Sequence, residues 1–300
     1  LVKNAAPVPL CRIHYLSLTG ASVCIASITD IVNKDANNVV TQVTGGCLQV
    51  PNTVTVNPKV WLGGPYVEAA GQMRDDLRVA GRIPTTEPYS ALGFTHAAGG
   101  GGEQVNPAVL AITGPNAIVD WVLVELRDVN APHPILATRS ALLQRDGDVV
   151  AVDGSSAVAL QISPGSFHLA VRHRNHLGIM TSTPVVLGSS PIDVDLRTAT
   201  TATWGTNARK TVGGASVMWA GNTQRDHTLL YTGLNNDRDP ILVIIGGLIP
   251  TASVTGYYLE DVNLTGDVKY TGSENDRDII LENIGGIVPT NSVTEQIPGP

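Results

Sequence analysis

Apolar positions in this chain recur mainly at a spacing of two, in short runs rich in Val, Ile and Thr that Gly, Pro, Asn and Asp keep interrupting. That pattern predicts many short strands. The longest run, Ala117–Leu126, sets Val119, Trp121, Leu123 and Glu125 on one face and Ile118, Asp120, Val122, Val124 and Leu126 on the other, which reads as a central strand, apolar on both sides. Arg139–Gln144 reads as its neighbour, Arg145-Asp146-Gly147-Asp148 as a hairpin turn before Val149–Val152, and Asp153-Gly154 as a further turn. With Val158–Ile162, Phe167–His173, Pro184–Leu187 and Ile192–Leu196 there are about seven strands over 115–200, the number expected of an Ig-like or transthyretin-like β-sandwich.

The flanking segments follow other patterns. Residues 1–56 read as an N-terminal β segment: Val23–Ile28 and Val39–Val43 flank a polar loop at Asn33–Asn38, and Ala5-Ala6-Pro7-Val8-Pro9 resists helix. Such an opening is either an arm that adds to another subunit's sheet edge or a loose end left by truncation. Leu1-Val2-Lys3 without an initiator Met reads as a processed product or a fragment. Over 57–114 a strand at Val60–Leu62 ends at Gly63-Gly64-Pro65. Met73, Leu77 and Ala80 then predict one short amphipathic helix over Glu68–Ala80, stopped by Gly81. Asp75 and Asp76, as helix neighbours, point about 100° apart and read as separate solvated charges. Gly99–Gly102 lacks the Lys-Ser/Thr that a phosphate cradle needs and reads as a loop.

Residues 201–300 hold one unit written twice. Asn222–Thr255 returns as Asp261–Thr294 at an offset of 39 residues, identical at 17 of 34 positions, all from Tyr231/Tyr270 onward. Each copy runs Tyr-Thr-Gly, Asn-Asp-Arg-Asp, Ile-Leu, Ile-Gly-Gly, Pro-Thr, Ser-Val-Thr, so a polar loop feeds a short helix, with Asp239 and Asp278 as the expected caps. The predicted architecture is therefore mainly β: an N-terminal segment, a strand-helix-loop region, the sandwich and a duplicated loop-helix tail.

Composition narrows the function. The chain is 43% apolar but only 15% charged, with 31 Gly and 19 Pro, and it carries a net charge of −7. An acidic chain without basic runs argues against nucleic-acid binding. Stretches such as Ile241–Ile249 are too short and too broken by glycine to span a bilayer, so no transmembrane segment is expected. A weakly charged surface suits either an ordinary exported β protein or a subunit covered by neighbours. Cys11, Cys24 and Cys47 are the only cysteines and show no zinc spacing. They fit one disulfide plus one free or intermolecular thiol, or three reduced thiols.

Two places invite chemistry. Val171-Arg172-His173-Arg174-Asn175-His176 is the densest polar cluster, and an enzyme would start from His168, His173 and His176. His168 and His173 are five apart, however, and face opposite sides of a continuous strand, so a structural cluster at a sheet end is the better reading. The serine-hydrolase elbow, the zinc-protease helix, the Walker loop and the dinucleotide fingerprint are all missing, and the chain reads as a non-enzyme. The second place is the tail. Asp261-Val-Asn263-Leu-Thr265-Gly266-Asp267-Val268 follows the opening of an EF-hand or dockerin loop, with oxygen donors at alternate positions able to wrap Ca2+. Asp261, Asn263, Thr265, Asp267 and the later Asp276 are the candidate ligands. Thr265 stands where an acid is usual, and Gly272 holds the twelfth position. Copy one is more eroded, with Asn222, Gln224 and Asp226 as donors and His227 in place of Gly266. The alternative is a set of hydrogen-bonded turns.

Trp61-Leu-Gly, Met73–Arg78, Ile83–Tyr89, Ile118–Arg127, Arg139–Asp148, Val171–His176 and the doubled Asn-Asp-Arg-Asp unit together resemble the C-terminal region of large secreted, surface-associated proteins of Bacteroidota, over roughly Pro58–Pro300. The resemblance implies a non-catalytic, extracellular, cell-surface protein, adhesin-like in its relatives' upstream regions, and brings no catalytic residues. The expected function is a structural subunit that assembles with itself, or with other surface proteins, into a fibre or surface layer. The alternative is a calcium-dependent module that binds glycans or proteins.

Overall fold

The computed structural model describes residues 53–298, together with the backbone of 22–24 and 47–49. The chain divides into two units, Leu1–Asn52 and Thr53–Pro300. In the first, Ser22–Cys24 pairs antiparallel with Cys47–Gln49, with Cys24 opposite Cys47. The arm at Ala5–Pro9, the polar loop at Asn33–Asn38, the Val39–Val43 strand and Cys11 lie outside the described residues.

The second unit is mainly β, built of several sheets. Its main sheet is centred on the strand Ile118–Arg127, buried at all ten positions between Ile135–Gln144 and Gly165–Arg172, both antiparallel to it. The two flanking strands satisfy the central strand's backbone within the sheet plane, and its apolar side chains are buried in the core shared with other elements. Val149–Val150 extends one edge, and Ile179–Met180 and Val185–Leu187 extend the other. A second sheet sets Val54–Lys59 between Ile192–Asp195, parallel to it, and Val158–Leu160, antiparallel to it. Val54, Val56, Val158 and Leu160 from this sheet share one core with Trp121, Val122, Leu142 and Leu169 of the other. The strand at residues 54–59 thus belongs to the large unit and crosses the expected boundary at residue 57, because both its neighbours lie far along the chain.

The helix expected over Glu68–Ala80 is broken in three. Glu68–Ala70 makes one 3-10 turn, Gly71 ends it in the left-handed region at φ 58°, and Gln72–Met73 returns as a strand against Tyr66–Val67. Only Asp76–Val79 is α-helical. Met73 and Leu77 are buried as their spacing requires, whereas Ala80 is exposed. Asp75 and Asp76 bind different partners, Arg78 and Arg145 for the first and Arg74 for the second. The glycine loop at Gly99–Gly102 serves carboxylates of its own chain: Gly101 N–H donates to Glu103 and Gly102 N–H to Glu87.

The tail folds by exchange between its two copies. Thr228–Leu230 at the start of copy one pairs with Ser292–Thr294 at the end of copy two, and Ser253–Thr255 at the end of copy one pairs with Asp267–Lys269 at the start of copy two. Side-chain bonds repeat the reciprocity: Thr232 Oγ1 donates to the Pro289 carbonyl and Thr271 Oγ1 to that of Pro250, each at 2.8 Å. Ile241 and Ile280, equivalent residues of the helices Arg238–Ile244 and Asp276–Asn283, share one core with Val262 and Val268. Neither copy completes its own ladder.

Ending the chain at Gly256 should therefore leave copy one unfolded, although its own sequence is intact. Amide exchange over 222–256 is expected to lose its protection, while the Ile118–Arg127 strand keeps its own. Retained protection in copy one would mean that the exchange is dispensable.

Candidate functional site

The site region lies where the main sheet meets the tail, and its centre is the six-residue polar cluster singled out by the sequence. After the strand Gly165–Arg172 the chain turns, and His173, Arg174, Asn175 and His176 are all buried. Burying polar groups in this way requires partners for each, and both copies of the tail supply them. The Asn175 carbonyl accepts from the N–H of Gly221 and of Asn222, each at 3.0 Å, at the start of copy one. Asn175 Nδ2 donates to the carbonyls of Leu259 and Asp261, each at 2.8 Å, at the start of copy two. Arg174 donates to Asp120 Oδ2 at 2.9 Å and to the carbonyl of Tyr258, and its guanidinium lies over the Tyr257 ring at 4.2 Å.

The histidines form a fixed chain. His176 Nε2 accepts from Gly64 N–H at 3.1 Å, so its Nδ1 carries the proton and faces His173 Nδ1 at 3.0 Å and Asn175 Oδ1 at 2.9 Å. His173 Nδ1 is then an acceptor, and its Nε2 donates to Asp120 Oδ2 at 3.2 Å. Burial lowers the pKa of both rings, with Arg174 adding to the effect, so both are neutral at physiological pH. Burial alone would raise Asp120, but Arg174, then His173 and the Tyr257 hydroxyl at 2.6 Å, hold it down at about 2. His168 lies apart: its Nδ1 meets the Thr181 carbonyl at 2.8 Å, and its ring packs edge-on against His133 and Trp204. The three histidines do not form one centre.

The candidate cation loop is held in shape by its own side chains. Gly266 takes φ 86° at the sharp bend, and Asp261 accepts from Thr265 N–H at 3.0 Å and Gly266 N–H at 2.8 Å. Asn263 Oδ1 accepts from Thr265 N–H at 3.1 Å. Asp276 reaches in from the helix start, where Oδ1 takes Val262 N–H at 2.7 Å and Oδ2 takes Lys269 N–H at 2.8 Å. Asp261, Asn263 and Asp276 are buried and Thr265 and Asp267 half-buried; the Thr265 hydroxyl is engaged with the Asp267 carbonyl at 3.2 Å. Burial raises Asp261 to about 6 against the pull of Arg174, and burial together with repulsion from Asp261 raises Asp276 to about 8. Two buried acids that repel one another, plus an amide oxygen, are chemistry that a hard cation relieves. Asp276, with three backbone donors already on it, serves first as a clamp on the loop. Among the described residues, no three His, Cys, Asp or Glu side chains converge as a metal centre.

Copy one repeats this backbone with other side chains. Arg225 and Leu264 are equivalent, with φ of 57° and 59°, and His227 and Gly266 are equivalent, with φ of 69° and 86°. Asp237 repeats the clamp of Asp276, taking Gln224 N–H at 3.0 Å and Leu230 N–H at 2.8 Å; burial raises it to about 7. The helix caps are Asn236 and Asn275, whose Oδ1 atoms accept from the N–H of Asp239 and Asp278 at 2.9 Å, in place of the aspartates expected in that role. The first aspartate of each Asn-Asp-Arg-Asp turns inward, and the arginine stacks on the tyrosine of its own copy, Arg238 on Tyr231 and Arg277 on Tyr270.

Beside copy one opens a cleft of about 200 Å³, lined by Phe94, Glu125, Arg127, Arg172, Arg174, Asn222, Arg225, His227 and Glu295 among others. Arg172, Arg174 and the two histidines of the polar cluster were legible as candidates, and Asn222 and His227 only as parts of the eroded copy-one loop. Phe94, Arg225 and Glu295 arrive from three distant segments and carry no sequence signal. No protein-family model, no curated protein and no solved structure matches the chain.

Replacing Arg174 by Met should leave Asp120 buried without its main countercharge and cost about 3–5 kcal/mol in denaturant unfolding. Asp120→Leu combined with Arg174→Met should cost less than the sum of the single replacements by about 2 kcal/mol or more. Additive losses would show that the two groups are not coupled.

Proposed function

We propose that this chain is a non-catalytic structural module of an exported cell-surface protein, and that it associates with further copies of itself through its duplicated tail. The observation that carries the reading is a pair of apolar turn tips at equivalent places in the two copies. Leu248 is 90% and Ile249 62% exposed; their counterparts Ile287 and Val288 are 89% and 46% exposed. Each pair follows a Gly-Gly, and Gly246-Gly247 and Gly285-Gly286 all have positive φ, so each tip is held out on a tight turn. Large apolar side chains displayed twice in this way are costly in water and stabilising once covered. A duplicated display matches a duplicated partner, and another copy's tail is the simplest such surface.

The resemblance to surface proteins of Bacteroidota supports the extracellular setting, and the two-sheet core supports an Ig-like or transthyretin-like sandwich as the scaffold. No helix among the described residues is long and apolar enough to cross a membrane. In this reading Ca2+ at Asp261, Asn263 and Thr265, with Asp276 behind them and Asp267 contributing its carbonyl side of the loop, stiffens the junction on which the tips are carried.

Leu248→Asp with Ile287→Asp should shift a concentration-dependent sedimentation profile to that of a monomer, with little change in melting temperature because both side chains are already in water. A wild-type protein that is monomeric at every concentration would sink the assembly reading. Calcium near 100 times its Kd should raise the melting temperature by roughly 5–10 °C at pH 8. The rise should shrink towards pH 5, because Asp261 and Asp276, raised to about 6 and about 8, then hold protons that the ion must displace. It should vanish in Asp261→Ala. A shift that is independent of pH, or one that survives Asp261→Ala, would place the ion elsewhere.

A further inference from the structure

The cleft beside copy one is not used by the structural reading, and it has its own chemistry. Its floor comes from the polar end of one face of the main sheet. Glu125 and Arg127 lie on the central strand, and Arg172 lies opposite Leu123 on the next one. These groups satisfy one another: Arg127 binds Glu125 at 2.9 Å, and Arg172 binds Glu295 at 3.1 Å and reaches Glu125 at 3.7 Å. Glu295 also takes His227 Nδ1 at 3.0 Å and Gly178 N–H at 2.7 Å. Both glutamates that line the cleft are thereby spent on internal partners.

Two groups are not spent, and a third, Arg174, is spent on Asp120 except at one nitrogen. Arg225 has no ion-pair partner among the described residues; it bonds only the Leu92 carbonyl, and its guanidinium lies 6.0 Å from the centre of the Phe94 ring, whose neighbourhood it shares with Arg172 at 5.8 Å. Asn222, 6% exposed, borders the cleft with an Oδ1 that has no hydrogen-bond partner. Arg174, 1% exposed, is also on its wall and has an unpartnered Nη2. Orphaned buried polar atoms are rare in folded proteins and call for a missing partner. Here the missing partners are an anion for the Arg225 guanidinium and a hydroxyl for the amide oxygen.

We propose that this cleft binds a carboxylate-bearing sugar ring. The carboxylate would face Arg225, with the Arg174 charge behind it. A ring hydroxyl would donate to Asn222 Oδ1, and the C–H face of the ring would lie on Phe94. Arg127 and Arg172 are balanced by Glu125 and Glu295, and Arg174 by Asp120 behind the wall, which leaves Arg225 as one cation in excess in a chain whose total is −7. Clefts for drug-sized ligands run to roughly 300–1,000 Å³; this one, at about 200 Å³, suits a single ring with its substituents. A simple anion would satisfy Arg225 but leave Asn222 Oδ1 without a partner, and a neutral sugar would leave Arg225 without one.

The equivalent position in copy two is Leu264, buried in the main core on nearly the same backbone. One loop geometry thus turns an apolar residue inward in copy two and a cation to the cleft in copy one. The cation loop and the cleft are separate sites, and the cleft does not depend on the chain's self-association.

The test is an NMR titration of the 300-residue protein with D-glucuronate and N-acetylneuraminate, with D-glucose and acetate as controls. Saturable shifts at Phe94 and Arg225 are expected with one or both acids, at affinities about tenfold or more above either control. Arg225→Gln should weaken the acid about tenfold with an unchanged melting temperature, because Arg225 is exposed and its one bond is to a loop carbonyl. Phe94→Leu should weaken it severalfold and serves as the reading if Arg225→Gln fails to fold. Parity with acetate would mean adventitious anion binding only; parity with glucose, no response to either acid, or wild-type affinity in both variants would equally overturn the proposal.

Discussion

The second unit is organised around one buried charge pair, Asp120 with Arg174. Asp120 sits at a register irregularity in the central strand, between Ile118 and Asp120 in the pairing with Ile135–Gln144, and is fully buried. A carboxylate there is tolerable only with a cation, and the cation in turn must be bonded at its other edges. Arg174 meets the second demand through the Tyr258 carbonyl and the Tyr257 ring, and Asp120 takes the Tyr257 hydroxyl. The charge in the sheet thus fixes where Tyr257-Tyr258 must lie, and those residues join copy one to copy two. Sheet and tail are set against one another by electrostatics as much as by apolar contact.

Close packing completes what the charges begin. A Cβ on Gly64 would lie 2.1 Å from the Val262 carbonyl, so only glycine lets the strand end approach the second loop. His176 takes the Gly64 N–H at that same junction, which ties the histidine chain to the approach. The polar cluster therefore works as a hub. Its carbonyls and amides receive one loop from each copy, and its neutral histidines fill the space between without adding charge.

Much of this was legible in the sequence, for identifiable reasons. The central strand was plain because burial on both faces forces an unbroken apolar run with few substitutes. The duplication was plain from identity alone, and the separation of His168 from His173 was expected from strand alternation, although the strand ends at Arg172 and the turn after it carries His173 away. The Glu68–Ala80 helix was not foreseen correctly, since the spacing of Met73 and Leu77 fits helix and strand-turn-helix alike, and Gly71 with the Tyr66–Val67 pairing decided the matter. Asn236 and Asn275 were passed over as caps because an aspartate stood three residues on, in an equally plausible place. The cleft was invisible because Phe94, Arg225, Asn222 and Glu295 meet only after the two copies exchange strands.

That exchange also explains why the copies differ where they do. Their identity begins at Tyr231/Tyr270, where each tyrosine carries its arginine and each asparagine caps its helix, so the same packing is needed twice. The loops before it keep a common backbone, as the paired positive φ values at Arg225 and Leu264 and at His227 and Gly266 show, while facing different surroundings. Leu264 meets the main core, and Gly266 N–H meets Asp261. Arg225 and His227 instead meet the Phe94 loop and Glu295. A duplicated backbone placed in two unequal environments is free to keep its packing half and change its loop half. In this chain that freedom yields an acid-rich loop on one side of the tail and a cationic, ring-sized cleft on the other.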